Sequence, residues 1–291
     1  MIVIVGCLMT KIAVIYSGQP RSFLDVLPDH DRFLKGLDVD TYHSTWNHTS
    51  TEEWEIIHKD PNIVKTDTVD YNIPDRGDLY RFEQLLLGNK PNHPIFMLGR
   101  IQYMTSVLAN KEWAKLRTYD YVVRLRYDFK YDGQLIHMLP RADKVNDICI
   151  TRKMGGKSSH INIWDGFAFG KPFAMSLYFD FHRWIPFSLF NQDIFNWKFQ
   201  PEFVYGTYLR AVNLNVIDCG VQPVHVYPKG KDIDWHRTER TIQYYRDLAT
   251  FHPQFYKQQN SKLIIENDSP TVSDGLIIKR LKEEGIDCPD V

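Results

Sequence analysis

YDYVVRLRYDF, residues 119–129, decides how the chain is read. Its first half is aromatic and β-branched, the composition of a strand buried in a sheet, and it ends in Arg124, Arg126 and Asp128. Buried strands rarely carry such charges. In an open α/β sheet, ligands bind beyond the carboxyl ends of the strands, which is where Asp128 falls. The plainer reading is a surface ion pair at a strand end.

Upstream, KIAVIY at 11–16 is a short β-branched run that closes in Ser17-Gly18-Gln19-Pro20-Arg21. Gly18 lets the backbone approach a ligand closely, and Arg21 is long enough to reach a phosphate or a base edge. Ser22 is placed to cap a helix from Phe23 to Leu37, interrupted by Pro28. Further elements alternate: a strand at Val39–Ser44, a helix at Glu52–His58 behind a cap at Ser50 or Thr51, and a half-exposed strand at Ile63–Val69. That alternation predicts a parallel sheet of nucleotide-binding type. Residues 71–94 read as a loop with one short helix.

Ile95–Leu116 carries the longest helical signal, with Met97, Ile101, Met104 and Leu108 on one stripe; Arg100 and Tyr103 are candidates to face the same cleft, a plain helix-surface arginine being the commoner alternative. After the decisive stretch come a strand at Cys149–Thr151 and a glycine-rich loop, MGGKSS, that lacks the spacing of a phosphate-cradling Walker loop. The strand INIWDGFAFG at 161–170 follows. Its Asp165 lies among apolar neighbours, so it needs a partner, a ligand or a raised pKa. A helix from Pro172 to His182 and another that Glu202 opens flank an aromatic segment. Two more strands are expected at Leu214–Asp218 and Gln222–Tyr227, the second holding His225.

Composition places the 291 residues among ordinary globular proteins, with 43% hydrophobic and 24% charged residues. A net charge of −1 with scattered Lys and Arg gives no nucleic-acid footprint. The four cysteines lie far apart without a CxxC pair, which fits a reducing, cytoplasmic setting, the host cytoplasm if the source is viral. In that setting the sequons at Asn47 and Asn267 are chance matches. The apolar start MIVIVGCLMTK is too short for a membrane span and lacks the basic region of a signal peptide, so no integral membrane segment is expected.

Four segments in this order resemble the GT-A type nucleotide-sugar glycosyltransferases of bacterial and viral polysaccharide gene sets: KIAVIYSGQPRSF at 11–23, TYHSTW at 41–46, YDYVVRLRYDF at 119–129, and WDGFAFG with PEFVYGTYLR at 164–170 and 201–210. The resemblance implies a Rossmann-like mixed sheet flanked by helices. It divides the chain into an N-terminal extension (1–10), a transferase domain (11–228, with nucleotide-binding and acceptor halves meeting at 129/130) and a C-terminal helical extension (229–291). By the same resemblance, Ser17, Gly18, Gln19 and Arg21 hold the nucleoside, and Arg100, Tyr103, Arg124, Arg126 and Asp128 line the donor.

Such enzymes carry an Asp-x-Asp motif that holds Mn2+ or Mg2+ against the donor diphosphate; here the triplet is Arg126-Tyr127-Asp128. The metal is then expected on Asp128 with His225, or its charge is supplied in part by Arg124 and Arg126. Asp165 and Glu202 are the candidates for the catalytic base, with Asp193 behind them. The implied reaction moves a hexose from a UDP-sugar, such as UDP-glucose, to a glycan or other hydroxyl acceptor. A non-catalytic carbohydrate- or nucleotide-binding module on a degenerate fold is the alternative. A nucleotidyltransferase is a third reading, which the loop SGQPRS fits poorly.

Overall fold

The computed structural model describes residues 10–20, 22–46, 49–69, 94–152, 163–181, 183, 201–221, 223–226 and 283. The chain divides into two compact units, Met1–Val226 and Tyr227–Val291. Of the second, only Glu283 belongs to the described residues. The expected N-terminal extension, the helix within 71–94, the MGGKSS loop and the aromatic segment after Trp184 lie outside them.

The first unit is built on a seven-stranded mixed sheet. Its strands are β1 (Lys11–Ser17), β2 (Asp38–Trp46), β3 (Ile63–Val69), β4 (Tyr121–Leu125), β6 (Asp147–Arg152), β7 (Ile163–Gly170) and β8 (Asn215–Asp218), in the order β3-β2-β1-β4-β7-β6-β8. β3, β2, β1 and β4 run parallel, β7 is antiparallel to both β4 and β6, and β8 is parallel to β6. A separate two-stranded ladder joins β5 (Phe129–Lys130) to β9 (Val224–His225).

Every residue from Ile12 to Ser17 is buried, as expected of a central parallel strand covered on both faces. Side chains alternate across it. Ile12, Val14 and Tyr16 join Phe23, Val26 and Phe33 of α1 (Phe23–Phe33), while Ala13 and Ile15 join a core built by α3 (Pro94–Lys111), α5 (Pro172–Phe179) and α6 (Pro201–Ala211). Helices therefore flank the mixed sheet, as the sequence led us to expect.

Several local features depart from the sequence reading. α1 ends at Phe33 rather than Leu37 and tolerates Pro28 inside it, and Ser22 makes no side-chain cap bond. α2 (Thr51–Ile57) is capped by Ser50 through a reciprocal box with Glu53, which settles the choice between Ser50 and Thr51. The long helix breaks at Glu112, and α4 (Trp113–Leu116) is a separate turn. Most consequentially, the decisive strand stops at Leu125. Residues 127–128 form a turn, and Phe129 starts the second ladder. The last expected strand shrinks to Val224–His225 for the same reason: its partner is only the two residues of β5. Among the described residues, no helix is long and apolar enough to cross a membrane.

β7 and β6 pack so closely at Gly170 that a Cβ there would stand 2.7 Å from the backbone oxygen of Asp147. Because that neighbour is backbone, Gly170→Ala is expected to lower unfolding free energy by about 1–3 kcal/mol in urea titrations. An unchanged midpoint would show that the β6–β7 junction yields freely.

Candidate donor-binding site

The carboxyl ends of β1, β2 and β4 share one edge of the sheet. In register, Tyr16 of β1 pairs with Leu125 of β4 and Ser17 with Ser44 of β2, so the loop after Ser17 starts beside the turn at 126–128. Gly18 adopts φ 120°, a conformation that side-chain-bearing residues rarely take, and its amide donates to the Ser44 carbonyl. The hydroxyls of Ser17 and Ser22 are both buried and have no hydrogen-bond partner. Orphaned buried hydroxyls on either side of one loop are uncommon.

The 126–128 turn is built around Asp128. Arg126 forks onto it, Nε donating to Oδ1 at 2.9 Å and Nη2 to Oδ2 at 2.8 Å. His225, set opposite Phe129 by the β5–β9 ladder, brings Nε2 to 2.9 Å from Oδ2. Burial pushes the Asp128 carboxyl up, but the Arg126 guanidinium and His225 together outweigh it and hold the group well below the usual carboxylate range. Asp128 is therefore a fixed anion, about one-fifth exposed. The Arg126 guanidinium also lies 4.7 Å from the centre of the Phe129 ring, which stacks its charge on an aromatic face.

Two buried histidines hold this turn from below. On α1, His30 occupies the core stripe Phe23, Val26, His30, Phe33; its Nε2 donates to the Phe129 carbonyl at 2.7 Å, and its Nδ1 accepts from the Tyr16 hydroxyl at 3.0 Å. On β2, His43 accepts from the Tyr127 hydroxyl at Nδ1 (3.1 Å) and donates from Nε2 to Asp60 (2.9 Å). Each assignment of protons follows from the acceptor on Nε2, a carbonyl in one case and a carboxylate in the other. Burial lowers both imidazole pKa values, His30 to about 4, so both are neutral near pH 7. Tyr16 stacks on His30, His43 and Tyr127, with Phe23 edge-on. From the other side the Tyr131 hydroxyl accepts from the Arg126 amide (3.1 Å) and donates to the Gly166 carbonyl (2.7 Å), tying the turn to β7.

Ser17, Gly18, Arg126, Asp128 and His225 thus stand on one edge. Gln19 is half-buried in the same loop, and Arg21 lies outside the described residues. Tyr103 on α3 packs against Trp46 and Met104 at the end of β2. Arg124 is not at the edge: it is fully buried within β4, alternating with Val122 on the face of α3, α5 and α6, where its charge acts on Tyr205. Asp165 sits in β7 next to Gly166, and Glu202 opens α6; their side chains, like that of Arg100, lie outside what is described. Asp193 falls outside the described residues altogether. The sequence reading passed over His30, His43, Tyr127 and Tyr131. A histidine on the apolar stripe of α1 was the one available signal for His30.

Asp128 and His225 also have the chemistry to hold a divalent cation. Their 2.9 Å Oδ2–Nε2 contact is a hydrogen bond in which Nε2 donates, so a cation would join the two only with the imidazole proton moved to Nδ1. Among the described residues, no cluster of three or more His, Cys, Asp or Glu side chains exists, so the remaining positions would fall to phosphate oxygens and water.

No family model and no curated protein matches the chain in sequence. Solved structures similar to it include the apo form of mouse xyloside xylosyltransferase 1 (12% identity, 72% of this chain and 85% of that one, TM-score 0.43) and galactosyltransferase LgtC in complex with donor and acceptor sugar analogs (11%, 91% and 98%, 0.43). The mannosyltransferase Ktr4p of S. cerevisiae is similar over 50% of this chain and 39% of its own (13%, TM-score 0.36). At these identities and scores the functional reading rests on the chain's own residues.

His30 makes the site's scaffold sensitive to acid. Its pKa is about 4 when folded against the ordinary 6.5, so protonation favours the unfolded chain; the full contribution holds above 6.5 and is lost as pH falls towards 4. Urea titrations should show wild-type stability falling by a few kcal/mol across that window, with the His43 shift adding in the same direction. His30→Gln should be less stable at neutral pH but flatter between about pH 6.5 and 5. Equal slopes for both proteins would remove His30 from this role.

Proposed function

We propose that the protein transfers a hexose from a nucleotide sugar to a hydroxyl acceptor, with a UDP-sugar such as UDP-glucose as donor and a glycan as the foremost acceptor class. The observation that carries this reading is the anchored Asp128. It is a carboxylate kept ionised by Arg126 and His225, at the carboxyl edge of the parallel strands and beside a loop with orphaned hydroxyls. Such an edge is where open α/β sheets bind nucleotides.

In this reading the Ser17–Arg21 loop receives the nucleoside. The Ser17 and Ser22 hydroxyls gain the partners they lack, and the turned backbone at Gly18 leaves room for close approach. Arg21, Arg100 and Tyr103 complete the donor pocket. Arg126 faces the diphosphate, for which a guanidinium fork is well shaped. Asp128 and His225 would hold Mn2+ or Mg2+, which when bound offsets the charge of the departing nucleoside diphosphate. Transfer to an acceptor hydroxyl also needs a carboxylate that takes its proton or stabilises the sugar. Asp165 is the candidate next to the turn, one residue from the Gly166 carbonyl that Tyr131 binds, and Glu202 is the other.

The test is a panel of nucleotide sugars with Mn2+ and simple hydroxyl acceptors, reading released nucleoside diphosphate. We expect turnover with at least one UDP-hexose, loss of at least about a hundredfold in Asp128→Asn, and a similar loss in Asp165→Asn or Glu202→Gln. UDP binding without release from any donor would replace the enzyme by a nucleotide-binding module on the same fold. Unchanged turnover in Asp128→Asn would remove the residue on which the proposal stands.

A further inference from the structure

The β4–β7 ladder stops one step short of where its register would carry it. It pairs Val122 with Gly170, Val123 with Phe169, Arg124 with Ala168 and Leu125 with Phe167, so the next step would set Arg126 opposite Gly166. Facing residues of an antiparallel ladder can exchange amide–carbonyl hydrogen bonds directly. Here a side chain takes that place: the Tyr131 hydroxyl accepts from the Arg126 amide at 3.1 Å and donates to the Gly166 carbonyl at 2.7 Å. Burial pushes the Tyr131 phenol pKa up, so near pH 7 it has the proton to donate. Its ring is buried against His30, Phe33 and Phe167, which aims the hydroxyl into the gap between the two backbones. Gly166 puts no side chain in that gap, and even an added Cβ would only touch the Phe129 ring at 3.8 Å. The hydroxyl is what stands between the turn and β7.

We propose that Tyr131 is a positioning residue: its hydroxyl is a wedge that holds the 126–128 turn one hydrogen-bond link away from β7 and thereby sets the gap between Asp128 and Asp165. The inference rests on the reading of this edge as the donor site and of Asp165 as the carboxylate that serves the transfer. In that reading the diphosphate lies at the turn and the hexose between the turn and β7. Without the wedge, the Arg126 amide and the Gly166 carbonyl both lose their partner, and the bond that restores both is the one they make to each other, which draws the turn onto β7. The loop that receives the nucleoside is tied elsewhere, to β2 through the Ser44 carbonyl, and keeps its place. The defect therefore falls on the transfer step, where a misplacement of about 1 Å can cost about a hundredfold in rate, more than on nucleotide affinity.

Two measurements compare wild type with Tyr131→Phe, once thermal melts establish that the variant is folded. The first reads nuclear magnetic resonance scalar couplings across hydrogen bonds, from backbone amide nitrogens to carbonyl carbons. Wild type should show no coupling between Arg126 and Gly166, and Tyr131→Phe should show it. That coupling in wild type overturns the wedge without recourse to any variant, and its absence from folded Tyr131→Phe overturns it as well. The second measurement sets turnover of a UDP-hexose that wild type uses against UDP affinity by calorimetry. In Tyr131→Phe, kcat is expected to fall at least about tenfold while the Kd for UDP changes by less than about threefold. Unchanged kcat, or a Kd that rises as much as kcat falls, overturns the positioning role. If wild type releases nucleoside diphosphate from no donor, the transferase reading falls and the positioning role with it, while the coupling measurement still decides the wedge.

Discussion

Two neutral imidazoles in the core hold the turn at the candidate site from below. A histidine cut off from water must satisfy both ring nitrogens inside the protein, and leaving one unpaired costs about 1–3 kcal/mol. His30 and His43 solve this in the same way, each accepting a tyrosine hydroxyl at Nδ1 and donating from Nε2. The chain positions they reach are Phe129, through its carbonyl, and Tyr127, through its hydroxyl, one on each side of Asp128. The turn is held because the histidines beneath it have no other partners of equal quality. Both rings must stay unprotonated for the pattern to survive, which couples the geometry of the edge to pH.

The sheet explains why those contacts converge. Parallel pairing of β2, β1 and β4 brings His43, Tyr16 and the end of β4 side by side, and alternation puts Tyr16 and His43 on the face that α1 covers with Phe23 and His30. β7 enters antiparallel to β4, so its Gly166 comes back alongside the turn and accepts from the same tyrosine that receives the Arg126 amide. Asp165 follows from that placement: a one-residue step along β7 from an atom that is hydrogen-bonded to the turn. Parallel strands supply the edge, and the antiparallel strand brings the backbone of Gly166 to the turn beside it.

Sheet strands, flanking helices and the edge location were legible because they are written in periodicity: the buried run 11–16, the stripe on α3 and the alternating 63–69 all folded as their patterns suggest. The break after Leu125 was not legible. RYDF has the composition of a strand, and the turn after β4 is held by the Tyr131 hydroxyl on the Arg126 amide, His30 on the Phe129 carbonyl and His225 on the Asp128 carboxylate, pairings that RYDF itself does not announce. Arg124 and Arg126 looked equivalent in sequence, two residues apart on one strand. The structure separates them completely, because Arg124 is still inside the ladder and faces the helical core, while Arg126 is the first residue beyond it. His43 was visible within TYHSTW, yet nothing near it in sequence identifies Tyr127 and Asp60 as its partners.

The triplet Arg126-Tyr127-Asp128 can be judged as a unit. A second acidic residue at 126 would place two anions within two residues of each other, an arrangement that only a bound cation would make comfortable. Arginine at 126 reverses the electrostatics: its guanidinium forks onto Asp128, which stays ionised although burial opposes it. The middle residue is no spacer either, since Tyr127 is the handle by which His43 grips the turn. Arg126 therefore holds Asp128 ionised and Tyr127 holds the turn in position, so the three residues of the triplet are tied to different parts of the core.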